Sequence, residues 1–211
     1  GVVLAFNGEI YNFKELRDKN NLDIKNNSDT RVILDLYIKF GLDFVSELDG
    51  MFAICIWDPR DKSLHLIRDR FGIKPLYIYK ENQRFIFGSD LNAIFDLGAK
   101  KIPNLRSIKR YLNLGITENN KDTFFENIHA IEPSSILSIK SDKSNLKKYW
   151  ILNNQIDENK FVKYNVKDLN DFINNSLKES INSHMLSDVP VGLTLSSGLD
   201  SKIILNHLQK I

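Results

Sequence analysis

One cysteine in 211 residues leaves no disulfide framework within the chain and points to a reducing, cytoplasmic setting. That residue, Cys55, lies in residues 51–57, MFAICIW, which are apolar on both faces. Burial disfavours a thiolate, so Cys55 reads as a core residue and not a nucleophile. The four histidines, His65, His129, His184 and His207, never fall at ligand spacing, which speaks against a His-based metal site. Residues 51–57 are also the longest apolar run, too short to span a bilayer, and no signal-like segment opens the chain, so no membrane partner is expected. Lys and Arg are scattered through a net charge of +2, so no nucleic-acid partner is expected either.

What is there is an ordinary globular composition, 42% apolar and 27% charged, long enough for one sizeable domain or one and a half. Residues 2–6 read as a strand, and Asn7-Gly8 after it is a strong hairpin-turn signal. Asn12 with Glu15 offers a capping box for a helix to about Lys19. Residues 20–28 are a polar, Asn-rich loop, and Ser28 or Asp29 can cap a largely buried helix over 30–40 that stops at Gly41. Residues 51–57 and 64–68 predict one hairpin, 76–79 and 85–87 a second, and 136–139 with 146–150 a third. Short helices are expected from Ser89 or Asp90 to Leu97 and over 107–114. Residues 152–166 are polar and aperiodic, and 167–185 carry Leu169, Phe172, Ile173, Leu177 and Ile181 on one helical face. The change of pattern marks a domain boundary near residue 155.

The chain is organised around residues 188–202, DVPVGLTLSSGLDSK. Residues 191–195 predict a short buried strand, residues 196–201 a tight polar turn, and Ile203, Ile204, Leu205 and Leu208 a following helix. Unpaired N–H groups at such a helix start can hold an anion; the same Ser and Asp residues can equally serve as plain helix caps. The spacing is not that of the G-x-x-x-x-G-K-[ST] loop. The chain opens inside an apolar run without an initiator Met and closes in a helix, so we read it as an internal piece of a longer protein.

The order Ser-x-Gly-x-Asp-Ser after a strand resembles the pyrophosphate loop of ATP pyrophosphatases, with Ser197 and Lys202 as departures from the usual pattern. Residues 6–12 (FNGEIYN), 48–53 (LDGMFA), 68–77 (RDRFGIKPLY) and 189–201, in that order, closely resemble glutamine-hydrolysing asparagine synthetase over nearly the whole chain. The resemblance implies an α+β N-terminal-nucleophile hydrolase sandwich (helix/sheet/sheet/helix), followed by the first helix–strand–helix of an α/β adenine nucleotide α-hydrolase-like domain. It implies a glutaminase domain over 1–150, a linker over 151–166 and the start of the synthetase domain over 167–211. It further implies that glutamine is split to ammonia, which converts aspartate to asparagine through an aspartyl-AMP intermediate, with ATP and Mg²⁺ required. Asn7 and Gly8 match the oxyanion hole, Glu9 and Asp29 the residues that hold glutamine, and Thr194, Ser196, Ser197, Gly198, Leu199, Asp200 and Ser201 the ATP site, with Asp200 able to hold Mg²⁺. The family usually has an acidic residue where Arg31 stands. The family nucleophile, an N-terminal Cys, falls upstream of Gly1, so residues 1–211 alone are expected to be inactive. Salt bridges fixing a buried turn are the expected role of residues 69–77. A homodimer is a family expectation. Alternatives are a related enzyme acting on another carboxylate, of the β-lactam synthetase or cell-surface sugar type, and a non-catalytic glutaminase-like regulatory module.

Overall fold

The computed structural model describes all residues except 23–27, 83, 118–120, 142, 158–163 and 211. The chain divides into two units, Gly1–Ile151 and Leu152–Ile211.

The first unit holds two antiparallel sheets. The larger contains β1 (Val3–Ile10), β2 (Gly50–Asp58), β3 (Ser63–Arg68), β7 (Ser135–Lys140) and β8 (Lys143–Lys148), in the order β1-β2-β3-β7-β8. The smaller contains β4 (Tyr77–Glu81), β5 (Arg84–Gly88) and β6 (Ile128–Ala130), in the order β5-β4-β6. Side chains alternate between the faces of each strand, so each sheet presents two apolar sets. Ala53, Leu66 and Ile139, with Cys55, Leu64 and Leu137, face the smaller sheet and pack on Leu76, Ile78, Phe85 and Phe87. The far side of the smaller sheet, through Tyr79 and Ile86, packs on Ile94 of α3 (Leu91–Asp96) and on Ala99 and Phe125. The far side of the larger sheet carries buried Ile54, Ile56 and Ile67. α2 (Asp29–Phe40) lies there, burying Val32, Ile33, Leu36 and Tyr37. The Tyr37 ring reaches His65 and its hydroxyl donates to Asp58 at 2.9 Å. The layers are therefore helix, sheet, sheet, helix.

Most predicted elements form near their expected bounds, and four expectations are corrected. Residues 7–8 do not turn. β1 runs straight through them, because eight cross-strand pairs with β2, from Val3↔Trp57 to Ile10↔Gly50, outweigh the local turn preference of Asn-Gly. Asn12 does precede α1 (Phe13–Lys19) but makes no side-chain cap. Its amide instead donates to Glu47 O at 2.9 Å and accepts from Asp49 N–H at 2.9 Å, tying the end of β1 to the approach to β2. α2 is capped by Ser28 and ends at Gly41 as expected, but Ile38 and Phe40 are exposed, so it buries one face and not its whole circumference. The strand β6 and a 3-10 turn over Gly41–Glu47 were not anticipated; both are too short to display a period. α4 (Leu105–Leu114) starts two residues early because Asn104 caps it, accepting from Ser107 N–H at 3.2 Å.

The fourth correction falls in the second unit. Residues 191–195 form no strand, and Val191 and Leu195 are exposed. A strand exists by pairing, and the described residues of this unit supply no ladder for it. The unit is two helices, α5 (Val166–His184) and α6 (Leu199–Leu208), joined by an irregular segment. α5 is opened by a reciprocal cap in which Asn165 accepts from Asp168 N–H at 3.0 Å and Asp168 accepts from Asn165 N–H at 3.4 Å. Residues 152–155 of the predicted linker form a 3-10 turn, and 158–163 lie outside the described residues. Among the described residues from 152 onward only His207 is buried. Amide exchange in α5 and α6 of this chain should be far faster than in β2 and β3; protection equal to theirs would show that the second unit has a core of its own.

Asp58 links the outer helix layer to the sheet. Its carboxylate accepts from Arg60 Nε and Nη2, from Arg60 N–H at 2.9 Å and from the Tyr37 hydroxyl. The Arg60 side chain first, then its N–H and the Tyr37 hydroxyl, hold Asp58 well below the usual carboxylate range. Burial, with Asp58 beside it, pushes the Tyr37 hydroxyl up to about 12. A carboxylate depressed in the folded state stabilises fully above its unfolded pKa and loses that contribution as pH falls through the folded value. Asp58→Asn should therefore flatten the decline of thermal stability between roughly pH 5 and pH 2. Parallel acid profiles for the two proteins would remove Asp58 from that decline.

Candidate functional site

Residues 69–74 form a turn built by two side chains that bind backbone. Asp69 is completely buried. One carboxylate oxygen accepts from the N–H groups of Phe71 at 3.1 Å and Ile73 at 2.9 Å; the other accepts from Lys74 at 2.9 Å and Phe52 at 3.2 Å. Arg68 does the converse, donating to the carbonyls of Lys74 at 2.9 Å, Gly72 at 2.8 Å and Ile131 at 2.7 Å. Among the described residues the expected salt bridges reduce to one long contact, Arg70 to Asp49 at 4.0 Å. The turn is fixed instead by main-chain groups gathered on two charges, the stronger class of hydrogen bond. The clue available in sequence was Asp69 shortly before Gly72, whose φ of 68° suits a tight turn.

Asp69 also bonds to β2. Phe52 donates its N–H to the Asp69 carboxylate, and its carbonyl accepts from Asp69 N–H at 2.9 Å. Both main-chain groups of Phe52 therefore point away from β1. Gly8, directly opposite, is in a non-hydrogen-bonded pair, and its own N–H and C=O point outward. β1 is an end strand, so outward here means the open edge of the sheet. Ile10, two residues on, has the same orientation, and its N–H is taken at 3.3 Å by Asp29 Oδ2. The strands are pressed together: a Cβ on Gly8 (φ 156°) would lie 2.1 Å from Met51 O, and one on Gly50 2.2 Å from Glu9 O.

The structure thus brings four of the predicted residues to one place. Asn7, Gly8 and Glu9 are consecutive on β1, and Asp29, at the start of α2, is bonded to the next residue along. Asn7 and Glu9 share the face that looks toward the smaller sheet, since Asn7 pairs with Ala53 of the inner core. Asn7 is exposed and lines a cavity of about 220 Å³ with Ala5, Cys55, Leu76, Phe87 and Ser89. Asp29 keeps its other oxygen on Thr30 N–H at 2.6 Å. Arg31 turns along the helix to Asp35 at 3.0 Å, so it pairs with that carboxylate and not with Asp29. Cys55 lines the same cavity, but burial pushes its thiol up to about 12, which leaves it protonated and a poor nucleophile. A larger cavity, about 570 Å³, is lined by Arg68, Phe71, Tyr77, Leu91, Asp122 and Phe124 among others and includes none of the predicted residues.

In the second unit, Thr194 and residues 196–200 are exposed. Ser196 and Ser201 share a hydrogen bond at 2.9 Å between their hydroxyls, and Ser196 Oγ accepts from Gly198 N–H at 3.2 Å. Gly198 is the N-cap of α6 and supplies no side chain to it; Leu199 and Asp200 begin the helix, leaving its first turn open. Ser197 and Lys202 are exposed beside this loop.

A helix/sheet/sheet/helix unit with these residues at the open edge of one sheet describes a class, and the comparisons agree with it. The chain belongs to the glutamine amidotransferase domain family, which matches residues 1–150. Residues 173–211 match the asparagine synthase family. A Bacillus subtilis protein, asparagine synthetase [glutamine-hydrolyzing] 2, is 34% identical over 214 residues, covering 96% of this chain and 28% of that protein. Amidase chry2 of Gibberella zeae is 27% identical over 218 residues, covering all of this chain and 31% of that protein. The chain thus spans less than a third of the length of these two relatives. Among solved structures, glutamine phosphoribosylpyrophosphate amidotransferase from B. subtilis, complexed with ADP and GMP, superposes with a TM-score of 0.52 at 18% identity, covering 100% of this chain and 44% of that one. That likeness is one of fold, the N-terminal-nucleophile hydrolase sandwich. No helix among the described residues is long and apolar enough to cross a membrane.

Gly50→Ala tests the close approach of the strands. Its Cβ meets backbone, which cannot swing aside, so a loss of about 2 kcal/mol or more in denaturant unfolding is expected. Unfolding indistinguishable from the parent would mean that β1 and β2 are further apart here.

Proposed function

We propose that this chain carries the glutaminase part, and the beginning of the ATP-using part, of a glutamine-dependent asparagine synthetase acting in the cytoplasm. The observation that carries the reading is the gathering of Asn7, Gly8, Glu9 and Asp29 at one sheet edge, with an outward main-chain N–H at Gly8. In this reading a thiol from outside residues 1–211 attacks the γ-amide carbon of glutamine. The carbonyl oxygen gains charge, and the Asn7 amide and Gly8 N–H meet it; one such donor lowers the barrier by about 3 kcal/mol. The carbon–nitrogen bond then breaks, the nitrogen takes a proton and leaves as ammonia, and water hydrolyses the thioester to glutamate. Glu9 holds the substrate, and Asp29 meets its α-ammonium group through the lone pairs left after Ile10 and Thr30.

In the second unit the open first turn of α6 and the hydroxyls of Ser196, Ser197 and Ser201 suit phosphate oxygens, with Thr194, Gly198 and Leu199 beside them. ATP is the nucleotide proposed, cleaved to AMP and pyrophosphate as the aspartate carboxylate is adenylated. Among the described residues no three His, Cys, Asp or Glu side chains cluster as a metal site. Asp200 with neighbouring oxygen donors fits Mg²⁺ only where phosphates supply the remaining ligands. Bound there, Mg²⁺ would neutralise the leaving pyrophosphate. Association into a homodimer belongs to the same proposal. Ser197 and Lys202 depart from the usual loop, and one relative is named an amidase, which favours as second reading the same chemistry on a different carboxylate.

Two assays on the full-length protein decide. Asn7→Ala should lower kcat for glutamine-dependent ammonia release about 100-fold while free ammonia still supports amide synthesis; unchanged kcat would remove Asn7 from the chemistry. ATP–pyrophosphate exchange should require aspartate. Exchange with another carboxylic acid and not with aspartate would transfer the acceptor to the second reading.

A further inference from the structure

Residues 69–74 have no substrate-facing group in the reading above, yet Asp69 is completely buried and its carboxylate is bonded by four main-chain N–H groups and by no side chain among the described residues. We infer that Asp69 is a positioning residue for the Gly8 N–H, acting through Phe52. The inference rests on the proposed role of Gly8 as an oxyanion donor.

The geometry runs through one peptide pair. In an antiparallel ladder a main-chain group points either to the strand on one side or to the strand on the other. Phe52 has β1 on one side and, where β3 has just ended at Arg68, only Asp69 on the other. Asp69 offers Phe52 two bonds there, its carboxylate for the N–H and its own N–H for the carbonyl. On the other side of the ladder, Phe52 faces the backbone of Gly8. A peptide that turned to bond there would draw Gly8 inward, away from the open edge. Gly8 resists such a rotation poorly, because it has no side chain to hold a face of the strand. The Ile10 N–H is secured separately by Asp29, and Asn12 secures the strand end, so Gly8 is the position whose direction depends on Asp69.

Arg68 provides the control. It stabilises the same turn through three carbonyls, but none of those belongs to β2. A purely structural role for the turn predicts that loss of either side chain lowers stability and activity together. A positioning role predicts that they separate.

The test uses the full-length protein with Asp69→Asn, Arg68→Lys and Asn7→Ala, measuring the thermal midpoint, glutaminase kcat and KM, and inhibition by a glutamine-like γ-aldehyde, whose adduct carries a tetrahedral oxyanion. For Asp69→Asn, kcat should fall about 10-fold or more and the aldehyde should bind correspondingly more weakly, with KM within about twofold. For Arg68→Lys, a comparable loss of midpoint should leave kcat within about threefold of the parent. Should Asp69→Asn fail to fold, Asp69→Glu, which keeps an acceptor but displaces it by a methylene, should show the same split. Folded Asp69 variants with parental kcat and aldehyde affinity overturn the inference, as does an equal fall in kcat for Arg68→Lys at matched midpoint. If Asn7→Ala retains parental kcat, the underlying oxyanion reading fails, whatever the Asp69 variants do.

Discussion

The first unit depends on one buried carboxylate that, among the described residues, pairs with no cation. Four main-chain N–H groups converge on Asp69, three from its own turn and one from β2. Carrying a charge into an apolar interior costs several kcal/mol unless hydrogen bonds replace the water removed, and here the polypeptide supplies them itself. Arg68 completes the arrangement with the opposite polarity, taking up carbonyls. Side chain and backbone thus satisfy one another, and a segment with little regular structure becomes as determined as a strand. Further bonds spread from it. Ser134 N–H donates to Asp69 O at 2.8 Å, and the Tyr149 hydroxyl donates to Arg68 O at 3.0 Å. Burial, with Asp69 nearby, raises the pKa of that tyrosine, so it stays a donor across ordinary pH. The start of β7 and the residues after β8 are in this way tied to the turn that follows β3.

Much of the fold was legible because the first unit is built from short, strongly patterned strands. Residues 51–57 and 64–68 read as a hairpin and form one, and α2 begins at its Ser cap and ends at its Gly. The misreadings share a cause. Asn7-Gly8 has turn propensity, and residues 191–195 have strand propensity, but a turn or a strand is settled by what lies opposite. Opposite Asn7 and Gly8 lie Ala53 and Phe52, so a turn signal becomes a strand. For residues 191–195 the described chain provides no paired neighbour, so a strand signal remains irregular. The side chain of Asn12 likewise chose a distant partner, Glu47 O, over its own helix. Of the candidate site, the residue types were readable from motif order. Their convergence was not, because the bond between Asp29 and Ile10 spans nineteen positions and leaves no local trace.

The two units differ in how they are held. The first closes on two apolar layers and a set of buried polar bonds. The second has an amphipathic helix, α5, whose Ile173 is half exposed, and almost no buried side chain among the described residues. The described residues of the second unit therefore bury little surface to support a cooperative transition of their own, whereas the sandwich has the core that such a transition needs.

If the loop before α6 holds phosphate as proposed, its internal bonds bear on selectivity. Ser196 and Ser201 already bond one another, and Ser196 already accepts from Gly198 N–H. In the proposed reading a phosphate oxygen that used these hydroxyls would exchange with the contacts they already make, beside the open first turn of α6. Swapping one neutral hydrogen bond for another gains little, whereas replacing a hydroxyl acceptor by an ionised oxygen gains roughly a factor of two in bond strength. In the proposed reading the loop would favour ionised oxygens over uncharged polar groups.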